Sequence, residues 1–317
     1  MALTALIAIV AASYVRFAVA PFDNELSTAG IVPPLAEYLS ELEAACPIAS
    51  LAVSALMTVF TGMIIGQTGG RFRLYSTQTF IAMPLFGLVA CGIFIPCDTL
   101  SASLSALLAS LTLKYLCRGY WRERDLSSML YAGLSTGLLM LTSVAGVAYL
   151  LGAVLAIFIL SFSTRELFVL IVAVMLAPAL CCYAVWAMGG DFLAPLFRIW
   201  DSVSVEAGGE AFGHDAVCAL TLCGLVMFVY VSSSALFLAN RFMVAIKARA
   251  ILSYNIVLSM LCVALFALPS ATVSCLAVAA VPMSAIMPVF FIRERENLSA
   301  WIYVSLWIVF VLHLLYY

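Results

Sequence analysis

Apolar runs of about twenty residues alternate along this chain with short polar interruptions. A helix crossing a bilayer core of about 30 Å needs about 20 apolar residues, so each run predicts one span. Spans 1 to 4 cover 2–19, 47–66, 77–95 and 100–117. Gly69-Gly70-Arg71-Phe72-Arg73 ends span 2, Pro96-Cys97-Asp98 ends span 3, and span 4 runs into the charged segment 118–125. The apolar stretch 126–162 would make a single helix about 55 Å long, too long for one crossing. Thr142, Ser143 and Gly146 offer a break, so it divides into span 5 (126–142) and span 6 (145–162). Ser163-Thr164-Arg165-Glu166 has the pattern of a capping box and opens span 7, 166–188. Spans 8 and 9 cover 214–236 and 250–267, with the basic segment 240–249 between them. Leu268-Pro269-Ser270 is a tight turn into span 10, 271–291, and span 11 covers 298–316.

Two further segments carry apolar residues at helical spacing but are too polar to span. In 35–43, Leu35, Tyr38, Leu39 and Leu42 form one stripe, with Glu37 and Glu41 off it and Pro33-Pro34 at the start. In 192–203, Leu193, Leu196, Phe197 and Trp200 form the stripe, with Arg198 and Asp201 off it. Both are expected to lie along the membrane interface. They either fill loop space or wall a cavity.

Charge orients the chain. Short cytoplasmic loops carry the excess of Lys and Arg. With the N-terminus inside, every basic residue except Arg16 and Arg198 falls on the inner side, 12 of the 14. The outer segments collect Asp23, Glu25, Glu37, Glu41, Glu43, Asp98, Asp191, Asp201, Glu206, Glu210 and Asp215, 11 of the 16 acids. Splitting 126–162 is what keeps both Arg124 and Arg165 inside. The expected fold is an all-α polytopic membrane protein of about 11 transmembrane helices. Its N-terminus is inside, its C-terminus is outside, and residues 1–317 form a single membrane domain with no soluble domain. Span 1 lacks a basic leader, and Pro21 follows Ala18-Val19-Ala20, so it is expected to be retained.

Composition agrees. Hydrophobic residues make up 66% and charged residues 9%, against about 25% charged in soluble domains. No soluble fold hides that much apolar surface. Most of the ten cysteines sit in apolar runs, where Cys is a small hydrophobe. Cys46 and Cys97 fall near outer span ends and are the pair to test for a disulfide. With two histidines and no CxxC, a zinc or di-iron site is not expected. Gly133 and Gly137 give GxxxG spacing on span 5, for internal packing or a dimer seam. Serines 101, 103, 105, 232, 233 and 234 either pack or line a polar path.

Ionisable groups inside a membrane are functional candidates, and this chain has few. Lys114 and Arg118 can snorkel from the inner end of span 4. Asn255 is expected to hydrogen-bond between helices, and His313 to sit at the outer interface. No row of buried charges marks an ion-coupled pump. The outer loop 20–46 is the richer place. Asp23 and Glu25 form an Asp-x-Glu pair, which can hold a divalent cation or act as a general base, since neighbouring carboxylates raise one another's pKa. Arg16 and Arg198 are the two outer cations, and an arginine can grip a phosphate with two parallel hydrogen bonds.

On these residues the first outer loop resembles that of the membrane-embedded glycosyltransferases of the GT-C type. Asp23 and Glu25 match the acidic pair of that loop by position and spacing, and 35–43 matches an amphipathic helix. The resemblance covers the first loop and the topology. It implies a transferase using a polyprenyl-phosphate-linked sugar at the outer leaflet, with Asp23 and Glu25 catalytic and Arg16 and Arg198 on the phosphate. No organic cofactor is implied; a divalent cation would fit. The chain is also similar to bacterial multi-pass inner-membrane families through 162–168 and the span holding Pro178, which implies location and no activity. Two other functions stay open: a transporter or flippase for lipid-linked or amphiphilic cargo, and a non-enzymatic assembly subunit. The bilayer and a polyprenyl-phosphate lipid are the expected partners; nucleic acid is not.

Overall fold

The computed structural model describes residues 1–19, 33–77, 79–93, 99–122, 125–204, 216–265, 274–294 and 296–316. Among them every regular element is a helix. In chain order these are α1 (Ala2–Val19), α2 (Pro34–Ala45), α3 (Pro47–Arg71), α4 (Ala82–Ile93), α5 (Thr99–Arg122), α6 (Leu126–Thr142) and α7 (Gly146–Leu160). Then come α8 (Thr164–Ala187), α9 (Ala194–Ser204), α10 (Ala216–Ala239), a short 3₁₀ turn (Arg241–Met243), α11 (Ile246–Leu265), α12 (Ser274–Ile286), α13 (Pro288–Arg293) and α14 (Glu296–Tyr316). Six are long and apolar enough to cross a membrane: α3, α5, α8, α10, α11 and α14. Helices α1, α4, α6 and α7 and the α12–α13 segment are apolar but shorter.

The stop and start signals act where the sequence puts them. Helix α6 ends at Thr142, Ser143 is extended, and its hydroxyl accepts from the Ala145 N–H at 3.2 Å before α7 begins at Gly146. At α8 the capping box is complete. Ser163 donates from its N–H to Glu166 at 2.7 Å, and the Glu166 N–H donates back to the Ser163 hydroxyl at 3.5 Å.

Span 10 departs from expectation. The segment is broken at Met287, between α12 and α13, because Pro288 supplies no N–H. Side chains from elsewhere close the gap. Tyr75 donates to the Ala285 carbonyl at 2.7 Å, and Ser233 to the Met287 carbonyl at 3.0 Å. Pro282 likewise leaves Val278 without its helical donor, and the Tyr149 hydroxyl reaches that carbonyl at 3.4 Å. Here the helix continues.

Helix α5 is the most buried of the six long helices. It packs on α3, α6 and α12. Its hydroxyls are tied into the helix's own backbone, as lipid-facing folds require. Ser105 donates to the Ser101 carbonyl at 2.7 Å and Thr112 to Leu108 at 3.0 Å. Ser105 and Thr112 also meet Thr142 and Ser135 of α6, at 3.1 and 2.8 Å. Gly133 and Gly137 set α6 against α8. A Cβ on Gly137 would lie 2.4 Å from the Val174 carbonyl oxygen, the one that Pro178 leaves without a helical donor. The GxxxG pair is thus an internal packing seam.

Antiparallel packing sorts the charges. The N-termini of α3 and α5 and the C-termini of α1, α6 and α8 share one end, with Arg16, Glu37, Glu41, Glu43, Asp191, Arg198 and Asp201. The opposite end carries Arg71, Arg73, Arg118, Arg122, Arg165, Arg241, Lys247, Arg249 and Arg293. We call these the acidic and the basic end.

Candidate functional site at the acidic end

Two helices cover the acidic end, and both were expected from their stripes. Helix α2 lies over α3, α5 and α6, and α9 follows α8 and meets α2. Their apolar stripes do not face the bundle. Tyr38 and Leu42 of α2 are 56% and 53% exposed, and Leu35 and Leu39 are half-buried. Leu193, just before α9, and Leu196, Phe197 and Trp200 on it are all exposed. The inward faces are the small residues Ala36 of α2 and Pro195 and Ser202 of α9.

Polar contacts fix this layer. Arg198 of α9 forms an ion pair with Glu37 of α2, with about half of each side chain exposed. Glu43 accepts from the Thr99 hydroxyl at 2.6 Å and, at 3.5 Å, from the Leu100 N–H. Its carboxylate therefore sits on the N-terminus of α5, where unpaired N–H groups and the helix dipole favour an anion.

Beneath Glu43 is a cavity of about 40 Å³ between α1, α3, α4, α5 and α12. Its polar lining is Tyr14, Thr58, Thr99 and Ser103. Tyr14 and Thr58 hydrogen-bond at 3.1 Å. The space suits about two water molecules.

The expected site residues fare unequally. Arg16 is half-buried on the last turn of α1, on the acidic end as expected. Arg198 is on that end too, already paired with Glu37. Asp23 and Glu25 lie outside the described residues, so the expected convergence of the four is not on view. Cys46 is exposed and not in a disulfide, and its expected partner Cys97 is outside the described residues. Among the described residues no group of three or more His, Cys, Asp or Glu could hold a metal ion.

Polar residues of the apolar helices are placed as follows. His313, in the last turn of α14, is buried, 3% exposed. Asn255 donates to the Ile251 carbonyl of its own helix at 3.0 Å rather than across helices, and its Oδ1 is buried without a partner. Ser101, Ser103 and Ser105 are buried on α5, and Ser233 and Ser234 on α10. Ser103 alone of these lines the small cavity, and Ser233 is used against α13. They form packing contacts and no shared polar path among the described residues.

The sequence held one missed signal. Arg198 is a lone cation on one amphipathic helix, and Glu37 and Glu41 repeat on the other, so a pair between them could have been anticipated. Nothing in the sequence linked Glu43 to Thr99. Compared with family models, curated proteins and solved structures, the chain finds no match.

Proposed function

We propose that this is an eleven-span protein of a bacterial inner membrane, N-terminus inside and C-terminus outside, that acts on a lipid-linked substrate at the outer leaflet. Its activity is transfer of a sugar from a polyprenyl-phosphate donor, as the GT-C-like first loop implies. The gathering of basic residues at one end supports the orientation. The observation that carries the functional reading is the layer made by α2 and α9. Two interfacial helices, joined by Glu37 and Arg198, leave apolar stripes open where a lipid carrier would lie. In the reaction, an acceptor hydroxyl oxygen forms a bond to the anomeric carbon. The bond from that carbon to the phosphate oxygen breaks, and polyprenyl phosphate leaves. Asp23 or Glu25 takes the hydroxyl proton. Arg16 and Arg198 steady the departing phosphate, with Arg198 exchanging Glu37 for it.

Asp23→Asn and Glu25→Gln are expected to abolish complementation of a deletion strain while the protein accumulates in folded form. Full complementation by both variants would end this reading. One observation favours a second. The cavity described beneath α2 admits water and no sugar, which suits a non-enzymatic assembly subunit. Such a subunit would tolerate charge reversal at Asp23, Glu25, Arg16 and Arg198 alike.

A further inference from the structure

At the basic end, a cavity of about 150 Å³ opens between the turn after α3, the end of α10, the start of α11, and α13. Two arginines, Arg73 and Arg293, and Ser76 supply its polar lining. Phe237, Leu252 and Val289 supply apolar wall. Four other cations at this end are already engaged. Arg118 pairs with Asp125 at 3.4 Å. Arg241 and Arg249 lie over the Phe242 ring at 5.2 and 5.8 Å, and Lys247 lies over Trp121 at 5.8 Å. Arg73 and Arg293 have neither a carboxylate nor a ring partner among the described residues.

The turn that presents Arg73 is built for it. Arg73 sits in the left-handed region at φ 45°, which costs a non-glycine residue about 1 kcal/mol or more. Its neighbours pin it there. Phe72 and Leu74 are both 3% exposed, and the Leu74 N–H bonds the Gly69 carbonyl at 3.1 Å. The Tyr75 ring lies on Gly69, where a Cβ would stand 2.8 Å from it, while its hydroxyl holds Ala285 at 2.7 Å. The rim is apolar as well as basic. Met243 lines the cavity, and Phe242, Met243 and Ile246 are 80%, 84% and 73% exposed. That mixture fits the headgroup layer of a membrane rather than open water.

We propose that this cavity binds the phosphate of an anionic lipid headgroup, held by Arg73 and Arg293, with the glycerol and acyl carbons running out over the apolar rim of Phe242, Met243 and Ile246. A cavity of about 150 Å³ accepts a ligand of about six heavy atoms, enough for a phosphate ester. Two guanidinium groups supply the charge-assisted hydrogen bonds that phosphate requires.

The test is native mass spectrometry of the full chain in detergent, titrated with dioleoylphosphatidylglycerol and separately with dioleoylphosphatidylcholine. Wild-type protein should retain the anionic lipid in clear excess. The double variant R73Q/R293Q should lose about tenfold in retention or more, and Arg165→Gln, at the same end on α8, should lose none. Ser76→Trp, which blocks the mouth without changing charge, should lose retention too and covers the case in which the double variant fails to fold. Equal retention by wild type, R73Q/R293Q and Ser76→Trp would overturn the proposal. So would displacement of the lipid by millimolar inorganic phosphate, which would make free phosphate the ligand.

Discussion

At the acidic end, charged side chains reach from one helix to another. Glu37 meets Arg198 across 161 residues of sequence, and Glu43 meets Thr99 across 56. At the basic end the contacts of Asp125, Arg118, Arg241 and Arg249 stay close to where those residues arise. Asp125 takes hydroxyls from Ser127 at 2.5 Å and Ser128 at 2.9 Å and lies beside Arg118, and Arg241 and Arg249 share the Phe242 ring. Lys247, which donates to the Trp121 carbonyl of α5 at 3.3 Å, is the exception. The contrast separates two uses of charge. Cations beside short turns can anchor a helix end without a distant partner, because their stems lie along apolar surface while their heads stay in water. Carboxylates that join α2, α5 and α9 hold the layer over the acidic end in register, which anchoring alone does not require.

The largest predicted effect removes the frame that both ends share. Gly137→Leu drives a side chain into the Val174 carbonyl and should cost about 3 kcal/mol, read as a lowered melting temperature in detergent. An unchanged melting temperature would mean that α6 and α8 are not packed as described. Next comes the acidic end. Glu43→Ala strands the Thr99 hydroxyl and weakens the cap on α5, for about 1–2 kcal/mol, with α2 becoming cleavable by protease first. If α2 stays protected, Glu43 does not hold it.

Asp125 should matter less, by about 1 kcal/mol, and in a pH-dependent way. Hydrogen bonds from Ser127 and Ser128, and the nearby Arg118, hold its carboxyl below the usual range. Its contribution is therefore present above the ordinary carboxylate pKa and is lost as pH falls through the lowered folded value. Asp125→Asn should reduce stability at neutral pH and converge with wild type in strong acid, as thermal melts across pH would record. A constant gap at every pH would contradict this. The smallest effect belongs to Arg198→Ala. An exposed ion pair is worth about 0–1 kcal/mol and is screened by salt. A loss as large as that of Glu43→Ala would make the pair more than a surface contact.

Helices were legible because apolar runs and punctuation coincide. Length alone ruled out one crossing over 126–162; Thr142, Ser143 and Gly146 marked where it divides, and Ser163 with Glu166 announced α8. The break at Met287 was not legible. Pro178 and Pro282 also lie in apolar runs, and their helices continue. Whether a proline breaks a helix depends on what packs around it, such as the Tyr149 hydroxyl at Val278, and that is tertiary information. The burial of His313 was not legible for the same reason, since it depends on which face α14 turns inward. At the site, Arg16 and Arg198 were legible as lone cations among the acidic segments. The Glu43 cap joins residues with no local relation, so no spacing could signal it.

Orientation underlies both the outer-leaflet reading and the contrast between the ends. It is tested most directly by labelling engineered cysteines in intact cells with a membrane-impermeant maleimide, in a background with Cys46 and Cys97 replaced by serine. Glu41 and Arg71 are exposed at opposite ends. The prediction is that Glu41→Cys labels in intact cells and Arg71→Cys only after permeabilisation. The reverse pattern would place the acidic end in the cytoplasm and contradict the account.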